Sequence, residues 1–429
     1  TTLKNAFKIK DIRNRLLFTL VMLVVIRFGS QLPVPGVNRT YFADWFAAQS
    51  NGAFNFFDAF TGGSFMNMSV FALNITPYIT SSIIMQLLTI AIPKLEEMQK
   101  DGEDGRKKIA TITRYVTVGL SLIEAAAMAI GFGNSGLLQK DSVVLDYIVV
   151  IVALTAGSAF VMWIGEQITE HGVGNGISIV LTINIVSRMP SDLATLYEQF
   201  VKSASTITLS VISAVVIMAI IVGMVVLVII LNDGVRRIPV QYAKRQVGRK
   251  MYGGQSTHLP MKVNMSGVLP IIFAQSIAAL PATICAFVPK WQNSWIMTHV
   301  FDTTTWPYIV IYFLLIIFFS YFYSTIQFNP IEVANNLKKN GGFIPGFRAG
   351  KPTSEFIQKV LNKITLFGAI YLSVIAITPL IISACSKAEE LTGISLGGTS
   401  IIIVVGVALE TVRALEAQML MRNYKGFLS

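Results

Sequence analysis

The sequence predicts an all-α polytopic membrane protein with ten transmembrane helices, and three observations lead there. Of its 429 residues, 53% are apolar and only 13% are Asp, Glu, Lys or Arg, against about a quarter charged in ordinary soluble domains. Mean hydropathy is +0.62. The apolar residues gather in blocks of roughly 20, the length a helix needs to cross ~30 Å of hydrocarbon. This composition excludes both a soluble enzyme and a disordered chain.

In order, the spans cover 15–32, 68–92, 109–132, 143–168, 177–186 with flanks, 206–231, 267–288, 306–327, 364–383 and 399–419. The first is too long for a signal-peptide core and has no small-residue cleavage site, so it reads as a mature span. The second is studded with Asn74, Thr76, Tyr78, Thr80, Ser81, Ser82 and Gln86, and the fifth is interrupted by Asn184 and Arg188. The seventh is broken up by Gly267, Pro270, Gln275, Ser276 and Pro281. Cys285 and Cys385 lie in or beside spans and read as small buried hydrophobes, since a disulfide framework or zinc site needs more cysteines at closer spacing. GVGNG at 172–176 has no strand before it and no Lys after it; a tight cytoplasmic turn opening the fifth span explains it better than a phosphate loop.

Charge sets the orientation. With a cytoplasmic N-terminus, 27 of the 34 basic residues fall inside, leaving the inner side at +14 and the outer at −3. That satisfies the positive-inside rule with both termini in the cytoplasm. Two inner loops, at about 232–265 and 328–362, are each some 30 residues long. The first carries Arg236, Arg237, Lys244, Arg245, Arg249, Lys250 and Lys262, and the second Lys338, Lys339, Arg348 and Lys351. A topology signal with attraction to anionic lipid accounts for part of this. Interleaved Tyr242, Tyr252, Gly253 and Gly254 favour a docking surface for a large acidic partner such as a ribosome or a motor protein.

Ten spans divide into halves of five, 1–200 and 201–429. An odd number per half forces opposite topologies, an inverted repeat with a pathway between the halves. An ion-coupled transporter places charged groups at the midplane, whereas here intramembrane charges are almost absent: Arg27 sits towards the outer end of the first span and Glu124 lies in the third; a structural ion pair or snorkelled contact explains those two. A lipid-handling enzyme needs a paired nucleophile and base, and no such motif occurs. The chain therefore reads as no enzyme, and no cofactor or metal is implied. Ile79 and Ile83 share a helix face, as do Leu181 and Ile185, beside polar neighbours. Mixed faces of this kind suit a water-filled cavity narrowed by aliphatic side chains, which gates by dewetting; ordinary bundle packing is the simpler reading of any one of these residues.

Several long strings then resemble the SecY family. They are GGSFMNMSVFALNITPYITSSIIMQLL with DGEDGRKKIATITRY, then GVGNGISI, VQYAKRQVGR, GGQSTHLPMKVNMSGVLPIIFA, FNPIEVANNLKKNGGFIPGFRAG and GGTSIIIVV, in family order from about residue 11 to 424. The resemblance implies two five-helix halves closing like a clamshell around an hourglass pore, in a bacterial plasma membrane. Its waist would be Ile79, Ile83, Leu181, Ile185, Ile272 and Ile403. NFFDAFTGGSF, at about 55–65, resembles the family's plug, which brings in Phe56, Phe57, Asp58, Phe60, Gly62 and Gly63. The lateral gate would lie between spans two and three and spans seven and eight, with Thr80, Gln86, Gln275 and Ser276 among its members. The basic loops would receive a ribosome or the SecA ATPase, with Arg236, Arg237, Lys244, Arg245, Arg249, Lys250 and Arg348 in contact. The implied partners are SecE, SecG, SecA or a ribosome, secretory preproteins with signal sequences, and anionic lipids.

Overall fold

The computed structural model describes residues 7, 9–38, 42, 58, 61–134, 143–202, 207–242, 245–247, 250–252, 256–265, 267–287, 295, 299–301, 305–386 and 398–425. Among them stand ten helices of 16 residues or more. These are α1 (Lys10–Gly29), α2 (Thr76–Ala91), α4 (Glu103–Asn134), α5 (Val143–His171) and α6 (Gly176–Leu196). They continue with α7 (Ile207–Asp233), α8 (Leu269–Phe287), α9 (Trp306–Gln327), α11 (Lys351–Ser386) and α12 (Gly398–Lys425). Each coincides with an expected span. Two short helices, α3 (Pro93–Lys100) and α10 (Pro330–Lys339), sit in the connections.

Six helices (α4, α5, α7, α9, α11 and α12) are long and apolar enough to cross a bilayer on their own. Helix α2 joins them as a broken span with α3, bent by 106°. Its bend falls at Ile92, whose extended backbone precedes Pro93, as expected of a residue before proline. Helices α1 and α6 are less continuously apolar: Arg13, Arg15 and Arg27 lie on α1, and Arg188 and Asp192 on α6.

Local signals explain several boundaries. The Asn175 side chain caps α6, accepting from the backbone N–H of Ile177 at 3.1 Å and Ser178 at 3.4 Å, so GVGNG is the turn that opens this helix. Asn329 caps α10 in the same way, with Pro330 following it. The second span starts later than hydropathy suggests. Its helix begins at Thr76 because Met68 and Asn74 adopt positive φ, 43° and 50°, which no α-helix accommodates.

The helical fold also carries a small sheet in its two long connections. The two basic loops pair with each other: β1 (Val235–Tyr242) lies between β4 (Ser256–Lys262) and β5 (Gly342–Phe343) in a three-stranded antiparallel sheet. A small hairpin, β2 (Arg245–Val247) with β3 (Lys250–Tyr252), tips the first loop. The alternation in VRRIPVQY turns Ile238 and Val240 inward, where they meet Met261, Leu337, Ile344, Ile357 and Leu361 in a small core of their own. Polar residues dominate this stretch, but a strand needs only every second side chain to be apolar.

Helix neighbours fall into two groups. Helix α4 packs on α2 and α5, and α6 on α5, with α1 against both α5 and α6. In the second group α9 packs on α8 and α11, and α12 on α7 and α11. The groups touch along two lines: α8 against α2 and α4, and α6 against α12. The chain crosses from one group to the other through a π-helical turn, Tyr197–Lys202.

Candidate functional site

Ile79 and Ile83 on α2, Leu181 and Ile185 on α6, Ile272 on α8 and Ile403 on α12 are all buried, and all six belong to one apolar cluster at the centre of the molecule. Four helices from both groups thus deliver aliphatic side chains to one place. Tyr308, Tyr312, Phe319 and Tyr323 of α9 extend the cluster on one flank.

Beside α6 lies the segment that follows α1. Asp58 is fully buried, and its carboxylate is divided between two tasks. One oxygen accepts the Met66 backbone N–H at 2.7 Å, tying the segment's own turn. The other is ion-paired with the Arg188 guanidinium of α6. Backbone bonds complete the turn: the Asp58 carbonyl accepts from Gly63 N–H at 3.1 Å and from the Thr61 hydroxyl at 3.1 Å. Gly62 and Gly63 have φ of +66° and +82°, the left-handed region that favours glycine. A Cβ on Gly62 would come within 2.9 Å of the Asn184 Cα, so the segment meets α6 backbone to backbone.

Arg27 holds the same segment from the opposite side. Its guanidinium donates to the Gly62 carbonyl at 3.3 Å and to the Asn184 side-chain oxygen at 3.4 Å. This arginine, expected in a structural ion pair or snorkelled contact, instead bonds to neutral oxygens. Phe65 anchors the segment's far end in a second cluster with Phe42 and Phe132. Phe56, Phe57 and Phe60 lie outside the described residues.

The seam between the helix groups carries polar side chains. Gln86 on α2 accepts a hydrogen bond from the Tyr323 hydroxyl of α9, which bridges the groups directly. Gln275 on α8 is buried, and neither of its amide atoms has a hydrogen-bond partner among the described residues. Thr80 and Ser276 donate to carbonyls of their own helices, Thr76 at 3.1 Å and Ile272 at 2.8 Å. On the α2–α4 side, the Ser81 and Thr117 hydroxyls meet at 2.5 Å.

On the three-stranded sheet Arg236 and Arg237 are exposed on β1, and Arg348 is exposed on the turn before α11. The backbones of Arg245 and Lys250 belong to the small hairpin. Lys244 and Arg249 lie outside the described residues. The contacts of Arg188, Arg27 and Asn184 could not be read from the sequence: they join positions 130, 35 and 157 residues apart. The one available signal was their polarity within apolar spans.

The SecY family model matches residues 69–412. The chain belongs to the SecY family. It is 45% identical over 438 residues to the protein translocase subunit SecY of Bacillus subtilis (strain 168), covering 100% of this chain and 99% of that protein. With the corresponding subunit of Streptomyces coelicolor the identity is 43% over 442 residues, at the same coverage. Among solved structures it resembles a protein conducting channel at TM-score 0.65, covering 95% of this chain and 92% of that one, at 15% identity. Sec61 in a canine ribosome-channel complex resembles it at TM-score 0.61 and 14% identity, with the same coverage. These distant likenesses establish that the SecY fold is shared.

Proposed function

We propose that this chain is the channel-forming subunit of a protein translocase, passing unfolded secretory polypeptides across the plasma membrane and releasing hydrophobic segments sideways into lipid. One observation carries the reading: six aliphatic side chains from α2, α6, α8 and α12 share one buried apolar cluster, and α6, which supplies two of them, also meets the segment around Asp58 and Gly62. An aliphatic ring closes around varied polypeptide without binding any sequence tightly, and it resists wetting when empty. The ion-coupled transporter has no support from the relatives, which are translocase subunits.

In this reading 1–200 and 201–429 are the two halves, 55–65 is the plug, and α2 and α4 part from α8 and α9 to open the gate. Both termini face the cytoplasm. The exposed Arg236, Arg237 and Arg348, with the hairpin carrying Arg245 and Lys250, form the surface that receives SecA or a ribosome. SecE and SecG complete the channel, signal sequences enter at the gate, and anionic lipids meet the basic inner face. The channel is passive, driven by its partners.

Site-specific photo-crosslinking to a stalled secretory nascent chain tests this. A probe at Ile185 is expected to capture the chain, and one at Leu227, which is exposed on α7, is not. A nascent chain that is engaged yet captured at neither position would overturn both the pore map and the function.

A further inference from the structure

We propose that Arg188 is the catch of the closed channel, a positioning residue that holds the plug through Asp58 and is drawn away when the waist widens. This rests on the plug reading above. Leu181, Ile185 and Arg188 stand at i, i+4 and i+7 on α6, one face of one helix. The first two belong to the central apolar cluster, and the third reaches the plug carboxylate. A polypeptide that pushes Ile185 outward therefore displaces the guanidinium with it. Widening of the ring and release of the plug become one movement.

The chemistry suits a catch. Asp58 is fully buried and Arg188 only partly; taking charge out of water offsets much of their attraction, so the pair fixes position more than it adds stability. When the plug leaves, both charges regain water, and release costs little. Removing one partner is a different matter, because it strands the other. Without Arg188, the Asp58 carboxylate would stay buried and face Asp192, also buried, which repels it. The plug would then be driven from its seat.

The test is the resting ion leak of the full channel, with its partner subunits, in proteoliposomes. Arg188→Gln is expected to raise the leak at least about tenfold, the effect of stranding a buried charge. Adding Asp58→Asn to Arg188→Gln removes the stranded charge and is expected to bring the leak back to within about threefold of wild type. Arg188→Lys keeps the charge and is expected to leak less than Arg188→Gln, which separates a charge effect from lost packing. A double variant that leaks as much as Arg188→Gln alone, or no leak in Arg188→Gln, would overturn the catch. Deletion of 55–65 is run alongside. If the deletion leaks and Arg188→Gln does not, the catch alone fails; if the deletion does not leak, the plug reading fails and the catch with it.

Discussion

Gln275 sits inside the seam with both amide atoms buried and without a partner among the described residues, a condition that costs roughly 1–3 kcal/mol. Replacing it with leucine removes the cost while keeping the volume, so Gln275→Leu is expected to favour the closed gate. The measurement is the minimum hydrophobicity a signal sequence needs for translocation, which should rise; an unchanged threshold would show that Gln275 is solvated at rest. Ile185 gives the opposite case. Ile185→Ser puts a hydroxyl where dewetting is needed, and resting conductance in planar bilayers is expected to increase. At this scale the sequence revealed which residues were unusual and not what they touched. Arg27, Asn184 and Arg188 stand out as polar groups in apolar stretches, yet their shared attachment to the segment around Gly62 depends on folding distant parts of the chain together.

Helices were the legible elements. A stretch such as α7 is apolar on every side, and only a membrane solvates such a helix. The small sheet was not legible, because the basic residues of VRRIPVQY hide a two-residue alternation that only Ile238 and Val240 express. That sheet supplies a prediction of its own. Val240→Asp would place a carboxylate among Met261, Leu337 and Ile357, at a cost of about 3 kcal/mol or more. It is expected to open the loops to protease while leaving the membrane helices intact, as read by limited proteolysis from the cytoplasmic side. Arg237→Ala, at an exposed position, should leave the proteolysis pattern unchanged and weaken partner binding alone.

Across the whole molecule, counting spans gives two groups of helices but not where they meet; only the family resemblance pointed to a seam between spans two and three and spans seven and eight. The bond from Tyr323 to Gln86 marks that seam. Joining them covalently, with Gln86→Cys and Tyr323→Cys oxidised to a disulfide, is expected to block insertion of membrane proteins until a reductant is added. Insertion that continues at full rate with the disulfide formed would show that segments leave the channel elsewhere.

The 106° bend between α2 and α3 restricts how that opening can proceed. Helix α3, PKLEEMQK, carries four charged side chains, each costing about 2.5–3.5 kcal/mol if pulled to the centre of the hydrocarbon. Helix α2 cannot slide outward along its own axis without dragging that short arm into the bilayer. The arm acts as a flange at the end of α2. It leaves the gate free to swing and stops it from moving as a piston, so the protein can part sideways without losing its depth in the membrane.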